Sequence, residues 1–143
     1  MKLKTLIATA LLGAVVSAPA LAHDYQAEVN QYRQTFETQQ KRIVKVACKE
    51  GKMDLCPVAS SMRIAAKLLA MTPADASNHE LLERLEMVDD VFISSTDEHA
   101  LKGQFEGLNE AETNEANEAL TEAIHASGHL MKIMGTIMKS EGK

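Results

Sequence analysis

The stretch YQAEVNQYRQTFETQQKRIVKV, residues 25–46, decides the fold. Within it Tyr25, Val29, Tyr32, Phe36, Gln39, Ile43 and Val46 recur at alternating steps of four and three. At about 100° per residue these positions share one narrow side of an α-helix. A seam of that width suits a helical bundle or a coiled coil, with Gln39 as its polar interruption. The helix is expected to run from about Tyr25 to Glu50, with Gly51 as its stop signal.

Downstream the same period returns, and no run alternates in the way a strand does. A second helix opens at Pro57, a residue suited to a first turn, and runs to about Met71. Val58, Met62, Ala65 and Leu69 form one apolar side and Ile64, Leu68 and Met71 another, so this helix is expected to be the most buried. A third can start at Thr72-Pro73 or at the capping box Ser77-x-x-Glu80. It carries the seam Leu81, Leu85, Val88 and Phe92, which Ser94, Ser95 and Thr96 are expected to break. One additional short helix is possible over Asp97 to Lys102. Asn109-x-x-Glu112 caps the last helix, from about Glu110 to Ser140. The fold expected is all-α: an up-down four-helix bundle with short connections.

Upstream, residues 1–22 (MKLKTLIATALLGAVVSAPALA) read as a cleaved signal peptide. Lys2 and Lys4 precede a short apolar core, and Ala20-Leu21-Ala22 is a small-x-small cleavage site. Residues 23–143 then form a single helical bundle domain in the periplasm, beginning at His23. The core of the leader is short for a membrane span, so no stable membrane insertion is expected after cleavage. Cleavage leaves 121 residues, enough for one hydrophobic core. It also leaves 13 basic against 20 acidic residues. That negative balance disfavours nucleic acid and anionic lipid as partners.

Cys48 and Cys56 are the two cysteines. An even count in an oxidising compartment favours a disulfide, and seven intervening residues exclude a CxxC redox motif. The bond would staple helices one and two as an antiparallel hairpin.

Chemistry concentrates in TEAIHASGHLMKIMGTIM, residues 121–138. Setting Leu120 at zero, Ile124, Ser127, Met131, Met134 and Met138 fall within roughly 40° of it, and are expected to form the core face, with methionine filling gaps. Met62, Met71 and Met87 are expected to do the same elsewhere. His125 and His129 fall on the opposite, polar face at roughly 140° and 180°, in line with Glu118 and Glu122. Two imidazoles at i and i+4 can chelate a copper, nickel or zinc ion. The competing reading is a pair of solvated histidines. His23, as a new N-terminus, would offer an α-amino nitrogen and an imidazole to the same kind of ion. His79 and His99 read as surface or capping positions.

Other chemistries lack their residues. There is no CxxCH for covalent haem, no GxSxG elbow and no phosphate loop, so no enzyme activity is expected. A non-covalent haem-binding bundle is the third reading, with a Met and a His facing one interior as its axial ligands. Helix two offers Met62, but helix one has no Met and His125 and His129 lie on the polar face. The function expected is a small exported non-catalytic binding protein for a transition metal, copper first, with His23, Glu122, His125 and His129 as ligands. The alternative is a periplasmic protein-interaction or stress-response protein without metal, docking through residues 93–108. The 4-3 seams suit a monomer or a dimer.

Overall fold

A computed structural model describes residues 25–48, 56–97 and 106–142. These residues form four helices and no strand: α1 (Gln26–Ala47), α2 (Cys56–Ala70), α3 (Asn78–Thr96) and α4 (Glu110–Ser140). Each of α1 and α3 packs on both α2 and α4, so the helices sit at the corners of a square in chain order. The α3–α4 edge is the sparsest of the four. Side-chain contacts fix the alternating directions. Gln26 at the start of α1 reaches the carbonyl of Pro73, just past the end of α2. Arg42 near the end of α1 grips Glu115 near the start of α4. The result is the up-down four-helix bundle that the spacing implies.

The α1 seam is buried as its spacing predicts: Val29, Phe36, Gln39, Ile43 and Val46 lie inside, with Tyr25 and Tyr32 packed against the core edge. Gln39 is not an orphan there, because its Oε1 accepts from Arg42 Nη1 at 2.9 Å. The same guanidinium donates to both carboxylate oxygens of Glu115, at 2.6 and 2.9 Å, and to Glu118 at 3.1 Å. A forked contact of this kind sets geometry as well as affinity, so it fixes the register of α1 on α4. The helix ends at Ala47; the expected extension to Glu50 and the Gly51 stop lie outside the described residues. Cys48 and Cys56 are disulfide-bonded across a Cα–Cα separation of 5.4 Å, joining the end of α1 to the start of α2.

Pro57 occupies the first turn of α2, where its missing N–H costs nothing. Val58, Met62, Ala65 and Leu69 are buried as expected. The second apolar side is only partly so: Leu68 packs against the core edge, whereas Ile64 and Met71 are exposed at 46% and 65%. A corner helix in a square touches only two neighbours and buries one arc, here completed by Ala59 and Ala66.

Of the two possible starts for α3, the capping box is the one used. Ser77 Oγ accepts from the Glu80 amide, and the Glu80 carboxylate accepts from the Ser77 amide. Leu81, Leu85, Val88 and Phe92 are all buried, and Phe92 meets Phe36 edge-on at 5.4 Å. Ser94, Ser95 and Thr96 form the last turn of the helix, which ends at Thr96; their hydroxyls donate back to the carbonyls of Val91 and Phe92. The short helix expected over 97–102 falls on residues that, beyond Asp97, lie outside the described part. Gly107 then turns the chain with φ of +80°, a conformation that suits glycine, and the Asn109–Glu112 capping box opens α4.

The expected core face of α4 requires correction. The residues buried are Ala116, Ala119, Ala123, Ala126, Leu130, Ile133 and Ile137, with Leu120 and Ser127 at their margin. Ile124, Met131 and Met138 are exposed at 44%, 50% and 39%, and Met134 is only partly buried. The cause is close packing. The buried stripe runs through Ala116, Ala119, Ala123 and Ala126 in the first half of the helix and through Leu130, Ile133 and Ile137 in the second, and these close the interface without the methionines. Among the described residues no helix is long and apolar enough to cross a membrane.

Candidate functional site

The seam between α1 and α4 that holds Arg42 continues along the bundle as a shallow groove. Gln31, Tyr32 and Thr35 of α1 form one wall, and Glu122, His125, Ala126 and His129 of α4 the other. The groove encloses about 260 Å³ and is mostly polar. Helix periodicity places the α4 residues together: 122, 125 and 129 are successive neighbours at steps of three and four. Glu118, the next residue up the same line, faces Arg42 instead and belongs to the α1–α4 clamp.

Tyr32 gives the groove its definition. Its ring stacks on the His129 imidazole, with centroids 5.2 Å apart and planes within 7° of parallel. Stacking holds the imidazole by its face and leaves its edge nitrogens free to act as ligands. Burial first, and then the nearby negative charge of Glu28, push the Tyr32 phenol above its ordinary value. It is therefore a neutral hydrogen-bonding group at pH 7, not a phenolate ligand.

The structure thus brings together three of the four residues singled out for metal binding: Glu122, His125 and His129. His23 lies outside the described residues, as does His99. Among the described residues no group of three His, Cys, Asp or Glu side chains is placed to hold one metal ion. What the groove offers is a two-imidazole chelate with a carboxylate one turn away. His79 sits on the surface at the start of α3, 3.3 Å from Glu83, in keeping with its expected place. Among the described residues, Met62 is fully buried while His125 and His129 are exposed.

Two features escape a reading of the sequence. Arg42 was not singled out, although an Arg three residues after a seam Gln is the signal for a capped polar interruption. The exposed methionines were placed in the core. Besides Met131 and Met138, Met71 and Met87 are exposed and line a cleft of about 280 Å³ with Pro73, Glu80, Glu83 and Arg84. The competing stripe Leu130, Ile133 and Ile137, which continues the alanine series, is the signal that places Met131 and Met138 outside. No protein-family model, no curated protein and no solved structure matches this chain.

Proposed function

We propose that this is a small exported, non-catalytic binding protein that takes a transition-metal ion, copper first, at His125 and His129, with the mature N-terminal His23 as a further ligand and Glu122 swinging in from one turn away when the ion binds. The observation that carries the reading is the groove. It sets two imidazoles at i and i+4 beside a carboxylate, with His129 held against Tyr32. Two imidazoles on adjacent turns suit Cu²⁺, Ni²⁺ or Zn²⁺, and Cu²⁺ stands highest in the general affinity order for such donors. Export rests on the leader-like residues 1–22, and a short disulfide loop accords with an oxidising compartment.

Calorimetric titration with Cu²⁺ tests this. One equivalent should bind, and a His125→Ala/His129→Ala double variant should lose at least tenfold in affinity with its helical circular dichroism unchanged. Equal binding by the double variant sinks the reading.

One observation favours the alternative, a protein-docking role. Ile93 of α3 is 51% exposed at the start of the 93–108 region. Leu108 at its far end packs against the core, and Phe105 lies outside the described residues. On that reading the histidine variant is silent for every ligand.

A further inference from the structure

We propose that Met131, Met134 and Met138 of α4 form a thioether site for a soft monovalent metal ion, Cu(I), separate from the histidine pair. The proposal does not depend on the histidine reading and can survive its failure.

The three methionines follow each other at steps of three and four, so each lies one turn above the last on a single side of the helix. The outer two are solvent-exposed, at 50% and 39%, and Met134 sits between them, partly buried against the core. Their Cα atoms span about 10 Å along the axis at 1.5 Å per residue. A methionine side chain is unbranched, with three rotatable bonds. The outer sulfurs can therefore swing toward the middle one without any backbone movement.

Space for an ion is present on the same side. Gly135 lies four residues after Met131 and three before Met138. Nothing lies within 4 Å of where its Cβ would be, and the same holds for Gly128, one turn before the set. A side chain at 135 would stand between the two outer thioethers; glycine leaves a notch there.

The packing shows why these sulfurs are available. Beside the methionines Leu130, Ile133 and Ile137 fill the interface of α4, so Met131 and Met138 are left outside the core while Met134 touches its edge. Thioethers are neutral, soft donors. They favour Cu(I) and its analogue Ag(I) over Zn²⁺ or Ni²⁺, which prefer imidazole and carboxylate. The methionine side lies roughly 120–180° around the helix from His125 and His129 at 100° per residue. One ion cannot use both sets, so the thioether site is distinct from the histidine pair.

The test is an anaerobic Cu(I) titration of the full mature chain against bicinchoninate, with [ε-¹³C]methionine spectra recorded during a parallel Ag(I) titration. One equivalent of Cu(I) should bind, and the methyl signals of residues 131, 134 and 138 should shift together. Met131→Leu/Met138→Leu keeps volume and apolarity. It should weaken Cu(I) binding at least tenfold with helicity unchanged. The His125→Ala/His129→Ala variant, and Met71→Leu/Met87→Leu as a control for the other exposed thioethers, should bind Cu(I) as wild type does. Wild-type affinity in Met131→Leu/Met138→Leu overturns the proposal. So does loss of binding in either comparison variant, or the absence of any Cu(I) binding by the wild type. Loss of Cu²⁺ in the histidine variant with Cu(I) retained leaves both readings standing, whereas Cu²⁺ unaffected with Cu(I) retained removes only the histidine one.

Discussion

Gly128 and Gly135 sit in the interior of the 31-residue helix α4, on its exposed side. Glycine there is a standing cost, because the unfolded chain loses more freedom on becoming helical than alanine would lose. The difference in an exposed helix interior is about 0.8–1 kcal/mol per position. Whether alanine recovers it depends on whether a methyl group meets anything. Nothing lies within 4 Å of either Cβ position, so no clash offsets the gain. The positions are seven residues apart, about 10 Å along the axis, and effects at that distance add. Gly128→Ala/Gly135→Ala should therefore be more stable by about 1.5–2 kcal/mol. With a urea m-value of about 1.5 kcal/mol/M, the midpoint followed at 222 nm should rise by about 1–1.3 M. An unchanged or lower midpoint refutes the reasoning. It would mean that this side of α4 lies against something in solution, such as a second copy approaching closely over the glycines. A midpoint independent of protein concentration in both proteins would show that no second copy covers this side of α4.

The disulfide closes a loop of about nine residues, for which the chain-entropy relation gives about 2.5 kcal/mol; a Cys48→Ser/Cys56→Ser variant should stay helical but lose roughly that much in urea, and a loss under 1 kcal/mol would show the α1–α2 turn to be held by other means. Asp89 on α3 has its Oδ1 buried without a hydrogen-bond partner among the described residues, and burial, aided by the charge of Asp90, holds its carboxyl above the ordinary value. The folded state thus keeps the proton to higher pH than the unfolded chain does, so the contribution to stability is full below about pH 4 and is lost as pH rises through the folded value. Asp89→Asn should then be more stable than wild type in urea at pH 7 and no more stable at about pH 3.5; destabilisation at pH 7 would reveal a partner for the carboxylate.

Much of the bundle was legible because its signals are local. The α1 and α3 seams each combine strong apolar spacing with no competing stripe, and every member sits at the interior or its edge. The capping boxes at Ser77 and Asn109 are four-residue patterns whose hydrogen bonds are made within the segment itself, so they could be placed without knowing any neighbour. Helices α2 and α4 were harder, because each carries two apolar stripes and the bundle buries only one. Hydrophobicity ranks Ile64 and Met71 above Ala59 and Ala66, and Met131 above Ala126, yet in each pair the alanines are inside. What decides is the distance between helix axes. Phe36, Ile43 and Phe92 already fill much of the centre, and the facing helices alternate large side chains such as Met62, Leu130 and Ile137 with alanines to pack against them at native density. That requirement belongs to the assembled bundle and is written in no single helix.

The candidate site divides along the same line. The His125–His129 pair and Glu122 follow from spacing alone, and spacing places them on one side of α4 whatever the rest of the chain does. Tyr32 and Gln31, which turn that side into a groove, arrive from another helix through the register that Arg42 fixes on Glu115. The methionines show the converse. Their mutual spacing was plain in the sequence, but their availability was not, since it depends on which stripe the neighbours choose. Assigned to the core, Met131 and Met138 are fillers; placed in solvent, the same thioethers are donors. A rotation of about 80° in the buried arc of α4, from centred near Leu120 to centred near Leu130, is all that separates the two. It also carries the histidines from directly opposite the core to the flank that faces α1, where a second helix can hold them.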